Sequence, residues 1–329
     1  MSTSERKVAM AQERPTRRLA SWISLDVLFV PIILVIAIVI LSFASPYFLT
    51  GRNLAEVLLA VATLGIAAVG ATFVIIDGDL DLSLGANVAL SGVVTAVAMV
   101  VWFPGNWIAG MILGVLTGVA VGLVNGLLST FLRVPAFITT LGTGVIAGGL
   151  AIYMTNGLTV SGLPDAFQAI ATTPILGLQS LVWFMLLTFI VGAFVLHRTN
   201  FGLRTFATGG NREAAFLAGI PVTGIRIGNF MVAGFCGGFA GMLLTSRVQA
   251  GQPGISTTLT LYATAAVILG GTSILGGQGS VVRTFFGILL IGVVQNGLDL
   301  LRVDYSLQQV VVGAVFVLAA ASEAIRRRR

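Results

Sequence analysis

Charge is scarce in this chain. Only 9% of its 329 residues are Asp, Glu, Lys or Arg, where a soluble domain carries about 25%. Cysteine occurs once, at Cys236, and histidine once, at His197. One cysteine excludes an intrachain disulfide framework and a multi-cysteine metal site, and one histidine excludes a histidine cluster. Both read as structural residues. The sole lysine is Lys7, near the start of the chain. A Walker A loop needs Gly-Lys-Ser/Thr, so the glycine-rich GGTSILGGQG at 270–279 is not one, and this chain supplies no such ATPase. There is no Ser/His/Asp arrangement, no HExxH and no paired carboxylates in a cleft. No catalytic residue, metal or cofactor is expected.

Apolar residues make up 57% of the chain, the mean hydropathy is +1.02, and there are 41 glycines. This composition predicts an all-α, polytopic membrane protein, with small residues letting helices approach closely. The pI near 10.4 does not imply nucleic acid, because the basic residues sit at the ends of apolar runs.

A membrane-crossing helix needs about 20 residues. Breaks at charge, proline and glycine divide the chain into runs at 25–45, 54–76, 84–103, 107–131, 136–155, 175–196, 227–246, 257–270, 281–298 and 306–323. The eighth is short for a full crossing. Ten spans with both termini inside place 15 of the 18 Lys/Arg on the inner side, which fits the positive-inside rule. Only Arg52, Arg247 and Arg302 fall outside. Five runs on each side of a central loop would relate the halves as an inverted repeat, although no repeat is visible in the residues. The expected organisation is a disordered cytoplasmic tail at 1–21, one transmembrane domain at 22–325 and a basic cytoplasmic tail at 326–329. No cleavable signal is evident.

The longest polar interruption is His197–Arg226. It holds a short helix marked at both ends. Asn211 is a good N-cap, and Glu213 suits the helix dipole in the first turn. Gly219 can take a left-handed C-cap, and Pro221 stops the helix. Ala214, Ala215, Phe216 and Leu217 are then free for a partner, with Arg198, Arg204, Arg212 and Arg226 around them. A plain connecting loop needs no such capping, so this segment reads as a docking helix.

Other motifs have a structural reading beside a functional one. Gly114, Gly118, Gly122 and Gly126 recur every fourth residue and form a packing face; Gly234, Gly237, Gly238 and Gly241 do the same. Asn125, Gln295 and Asn296 are amides at membrane depth, for interhelical bonding or for lining a path. GDLDLSLG, at 78–85, carries Asp79 and Asp81 just after Asp77, with no basic residue nearby in sequence. Asp81 or Ser83 could cap the next helix, or the segment could be a hinge beside a path. In RVPAFITTLGTG, Pro135 opens a helix. Thr139, Thr140 and Thr143 either bond their own backbone or face a path. Carboxylates near mid-span are almost absent, with Glu56 and Asp299 at span ends. This argues against ion coupling and for an external energy source.

Four segments, in order, resemble the membrane-spanning permeases of bacterial ABC importers for simple sugars of the ribose/xylose/arabinose/galactose type. They are GDLDLSLG, GLVNGLLSTFLRVPAFITTLGT, RTNFGLRTFATGGNREAAFLAGI, and AAVILGGTSILGGQGSV with FFGILLIGVVQNGL. The resemblance runs from about 45 to 322. It implies a bacterial inner-membrane protein that pairs with a second permease copy. Such a pair docks a cytoplasmic ATP-binding subunit and receives a monosaccharide or polyol from an extracytoplasmic binding protein. GGNREAAFLAGI matches the family's coupling region, which would place Gly210, Asn211, Glu213, Ala214, Ala215 and Gly219 at the ATPase contact. Two departures stand out. Members usually read GGIDLSVG where this chain has the extra acid Asp79, and many carry Glu-Leu where it has Thr260-Leu261. Alternatives from other classes are a permease for nucleosides or branched-chain amino acids, an ion-coupled carrier, and a membrane protein without transport.

Overall fold

The structure is a computed structural model that describes residues 25–254 and 258–326. It is almost wholly helical: α1 (Leu25–Ala44), α2 (Gly51–Ile76), α3 (Leu84–Val97, continued by a π-helical turn to Trp102), α4 (Trp107–Phe131), α5 (Ala136–Thr155), α6 (Asp165–Thr172), α7 (Ser180–Arg198), α8 (Asn200–Gly210), α9 (Arg212–Leu217), α10 (Val222–Val248), α11 (Leu259–Leu269), α12 (Val281–Leu300) and α13 (Tyr305–Arg326). A two-residue hairpin, β1 (Pro174–Ile175) with β2 (Leu178–Gln179), precedes α7.

Local chemistry sets the boundaries. Thr50 caps α2 by accepting from Asn53 N–H, and Asn106 caps α4 by accepting from Ala109 N–H. Left-handed Asn156 and Gln249 end α5 and α10. These residue types satisfy the orphan groups at helix ends.

Helix α2 is the buried axis, flanked by α10, α7, α11 and α12. Against α10 lies the glycine face of α4. A Cβ on Gly118 would sit 2.5 Å from Gly238 Cα, so the backbones touch where only hydrogen fits. The opposite face of α4 exposes Ile108, Ile112 and Leu116, one turn apart. An apolar outward stripe with an inward small-residue stripe is the pattern of a helix whose outer side meets lipid.

Among the described residues seven helices are long and apolar enough to cross a membrane: α2, α3 with its π turn, α4, α5, α7, α10 and α12. Helix α11, at 11 residues, spans about 16 Å against a hydrocarbon core of about 30 Å. Several expected boundaries move. The run at 175–196 begins as a hairpin, and its helix starts at Ser180. The central interruption is not one short helix in a loop: His197 and Arg198 end α7, α8 fills 200–210, and Arg226 lies inside α10. Of the two capping candidates for α3, Ser83 makes no side-chain cap, whereas Asp81 Oδ1 accepts from Ser83 N–H just before the helix. Arg326 ends α13 and is not the start of a tail. The tails at 1–21 and 327–329, and residue 257 of the eighth run, lie outside the described residues.

Candidate functional site

Four segments that the charge pattern assigns to one side meet at one end of the bundle: 77–83, 129–137, the α8–α9 region with the start of α10, and 270–280. Gly277 N–H donates to Ile76 C=O at 2.8 Å, which joins the glycine-rich turn to the end of α2. That turn needs positive φ at Gly271, Gly276 and Gly277.

The centre of this junction is Asp79. Arg226 grips its carboxylate with two donors, Nε to Oδ2 at 2.8 Å and Nη2 to Oδ1 at 3.1 Å. Arg212 Nη2 lies 2.9 Å from Oδ1 and also donates to Asp77 C=O at 3.1 Å. Arg226 Nη1 reaches Ser129 C=O at 3.1 Å. The Asp79 and Arg226 side chains are 7% and 12% exposed, so this pair is largely removed from water. Arg212 opens α9. The clamp therefore ties the short helix to the acidic segment, to α10 and to the end of α4.

Asp77 sits beside the clamp, buried, with neither carboxylate oxygen hydrogen-bonded among the described residues. Burial foremost, and then the charge of Asp79, push its carboxyl up to about 8, while Arg212 and Arg226 pull it down. The Asn229 amide lies nearby. It also pulls the Asp77 carboxyl down, and its Oδ1 accepts from Thr205.

Beyond Asp79 the polar network runs inward. Asp81 Oδ1 accepts from Ser83 N–H at 2.9 Å and Ser83 Oγ–H at 2.6 Å. Burial raises the Asp81 carboxyl, and the Ser83 bonds lower it. Asn125 Nδ2 donates to Ser83 Oγ at 2.8 Å, and Thr143 donates to Asn125 Oδ1. Thr140 Oγ1 donates to Leu80 C=O and accepts from Leu82 N–H at 2.9 Å. Thr260 Oγ1 accepts from Gly85 N–H at 2.7 Å. Thr139 bonds only back to Pro135 C=O.

Asp79, Asp81, Ser83, Asn125 and Thr140 thus come together. Gln295 and Asn296 do not join them: Asn296 pairs reciprocally with Asn53 at the start of α2. In α9, Asn211 Oδ1 accepts from Ala214 N–H at 2.9 Å, and Gly219 takes φ +78. Ala215 is buried, whereas Phe216 and Leu217 are 71% and 78% exposed. Two large apolar side chains stand out beside the charged Glu213. Sequence reasoning missed Arg212 and Arg226 as partners of Asp79, and it passed over Asp77. The extra acid beside a distant arginine-rich segment was the available signal. Among the described residues no three His, Cys, Asp or Glu side chains come together to hold a metal.

A glycine-packed bundle with seven membrane-capable helices among its described residues defines a multi-pass membrane protein. The chain belongs to the family described as branched-chain amino acid transport system / permease component, whose profile matches residues 53–320. It is 41% identical over 288 residues to the ribose import permease protein of Bacillus subtilis, covering 87% of this chain and 89% of that one. It is 36% identical to the L-arabinose ABC transporter permease protein of Azospirillum brasilense, covering 88% and 85%. The ribose import permease protein of Escherichia coli K12 is 37% identical over 88% and 90%. No solved structure matches the chain.

Proposed function

We propose that the chain is the permease subunit of an ATP-driven ABC importer in the bacterial inner membrane, carrying a monosaccharide or related polyol. The observation that carries the substrate class is its 36–41% identity, over nearly nine-tenths of its length, to permeases named for ribose and arabinose. The inward network of Ser83, Asn125, Thr140 and Thr143 offers neutral hydrogen-bonding groups, which suit a polyhydroxylated solute that needs no counter-ion. ATP hydrolysis belongs to a separate cytoplasmic subunit, and solute arrives from an extracytoplasmic binding protein. Two permease copies, each with ten spans and both termini inside, surround the path.

In this reading α9 is the contact for the ATPase, with Phe216 and Leu217 entering a partner groove and Gly210, Asn211, Glu213, Ala214 and Gly219 around them. Movement of α9 pulls Arg212. Through Asp79 it shifts 77–83, and the Asp81–Ser83–Asn125–Thr143 chain carries that shift between α3, α4 and α5. Asp79 is the gate's handle and not a solute ligand.

Reconstitution with a matching ATPase and binding protein tests the proposal. ATP-dependent uptake of labelled pentose, competed by other sugars and not by leucine, is expected. Competition by leucine or nucleosides alone would move the substrate class to the family's other branch.

A further inference from the structure

A cavity of about 500 Å³ opens beside the clamp, lined by Asp79, Ser129, Arg133, Arg212, Arg226 and the start of α5. This volume is in the range of small-ligand sites, about 300–1,000 Å³. Three arginines face one carboxylate there, an excess of two positive charges. Arg212 and Arg226 already neutralise Asp79. Arg133 is different: among the described residues it makes no hydrogen bond or ion pair, and its side chain is available.

Two further observations mark the cavity as more than a charged surface. Ser129 is 1% exposed, yet its Oγ has no hydrogen-bond partner among the described residues. A buried hydroxyl left unpaired is costly unless a ligand completes it. Arg133 also holds φ +54, where a side chain is disfavoured and glycine would serve. The turn itself does not require a guanidinium.

We propose that this cavity binds a phosphate group, with Arg133 as its principal ligand, Ser129 Oγ–H as a donor and Arg226 or Arg212 sharing a free N–H. Guanidinium groups match phosphate oxygens in charge and geometry. An arginine that shares its charge with the phosphate holds Asp79 less tightly, which slackens the tie between α9 and 77–83, so the ligand acts as a brake. The phosphate comes either from solution or from an anionic lipid headgroup reaching the same end of the bundle.

The test is a thermal melt of the full chain in nanodiscs. One arm uses phosphatidylcholine discs titrated with inorganic phosphate, against chloride at equal ionic strength. The other uses discs containing phosphatidylglycerol without added phosphate. A saturable rise in melting temperature in the first arm identifies free phosphate; a rise confined to the second identifies a lipid headgroup. In the responding arm, Arg133→Gln should weaken apparent affinity about tenfold or more, and Ser129→Ala by a smaller factor. Arg133 makes no hydrogen bond or ion pair among the described residues, so its variant should fold. No response in either arm, or an unchanged response in both variants, overturns the site. The readout involves no transport, so such a failure leaves the importer reading intact.

Discussion

Asp79 receives both of its guanidinium partners from a segment more than 130 residues further along, Arg226 being 147 away. Removing one member of a buried pair so that the other is left uncompensated costs about 3–5 kcal/mol. Asp79→Asn leaves Arg226 in that position and should lower the melting temperature in detergent sharply, whereas Arg226→Gln leaves Asp79 with Arg212 and should lower it less. Asp79→Asn combined with Arg226→Gln should cost less than the two single losses added, as a double-mutant cycle would show. Asp77 makes a second prediction. Its carboxyl is raised from 3.8 to about 8, so the stability it contributes is complete below its unfolded value and is lost as pH rises through about 8. The melting temperature should fall as pH rises from about 4 to about 8 and level off above that, and Asp77→Asn should flatten the fall. An equal slope in the variant would place the titration elsewhere. At this scale the sequence was only partly legible. Asn211 and Gly219 reveal their caps through local rules, but Asp79 reads as an isolated acid until the fold brings Arg212 and Arg226 to it.

Among the elements, α4 and α10 show most clearly how glycine spacing becomes architecture. The four-residue repeat at Gly114, Gly118, Gly122 and Gly126 was legible in the sequence because helical periodicity alone puts these residues on one face. Their partner, α10, could not be read from that spacing. Gly118→Leu should drive side-chain atoms into the Gly234–Gly238 backbone. Overpacking of this kind costs about 1–3 kcal/mol or more, and folded yield should drop. Leu116→Ala, on the outward face, should leave yield nearly unchanged. Helix α9 behaves in the opposite way, because its exposed side chains hold nothing together within the chain. Glu213→Lys and Leu217→Asp should leave melting unchanged and weaken binding of the ATPase subunit. Unchanged complex formation would remove α9 as the docking element. The α8 helix was hidden because TNFGLRTFATGG carries glycine and threonine that favour loops in isolation. In the folded chain Thr199 caps it, and Thr205 bonds to Asn229.

Over the whole molecule, the apolar runs and their breaks follow the observed helices closely, since hydropathy is what length in a bilayer demands. The segments 77–83, 129–137, 200–226 and 270–280 converge at one end of the bundle, and Val160 and Gly251 bridge to each other. Depth was harder to read: α11 is apolar throughout but too short to cross, and composition alone does not separate a crossing helix from one that enters partway. The central claim is that this bundle moves solute only when a docked ATPase moves α9. The measurement that tests it most directly is uptake of labelled ribose or arabinose into proteoliposomes holding the chain, its ATPase and its binding protein. The account predicts uptake that requires ATP, ignores a protonophore and is lost in Leu217→Asp while the variant stays folded. Uptake by the chain alone, driven by an ion gradient and indifferent to ATP, would contradict it.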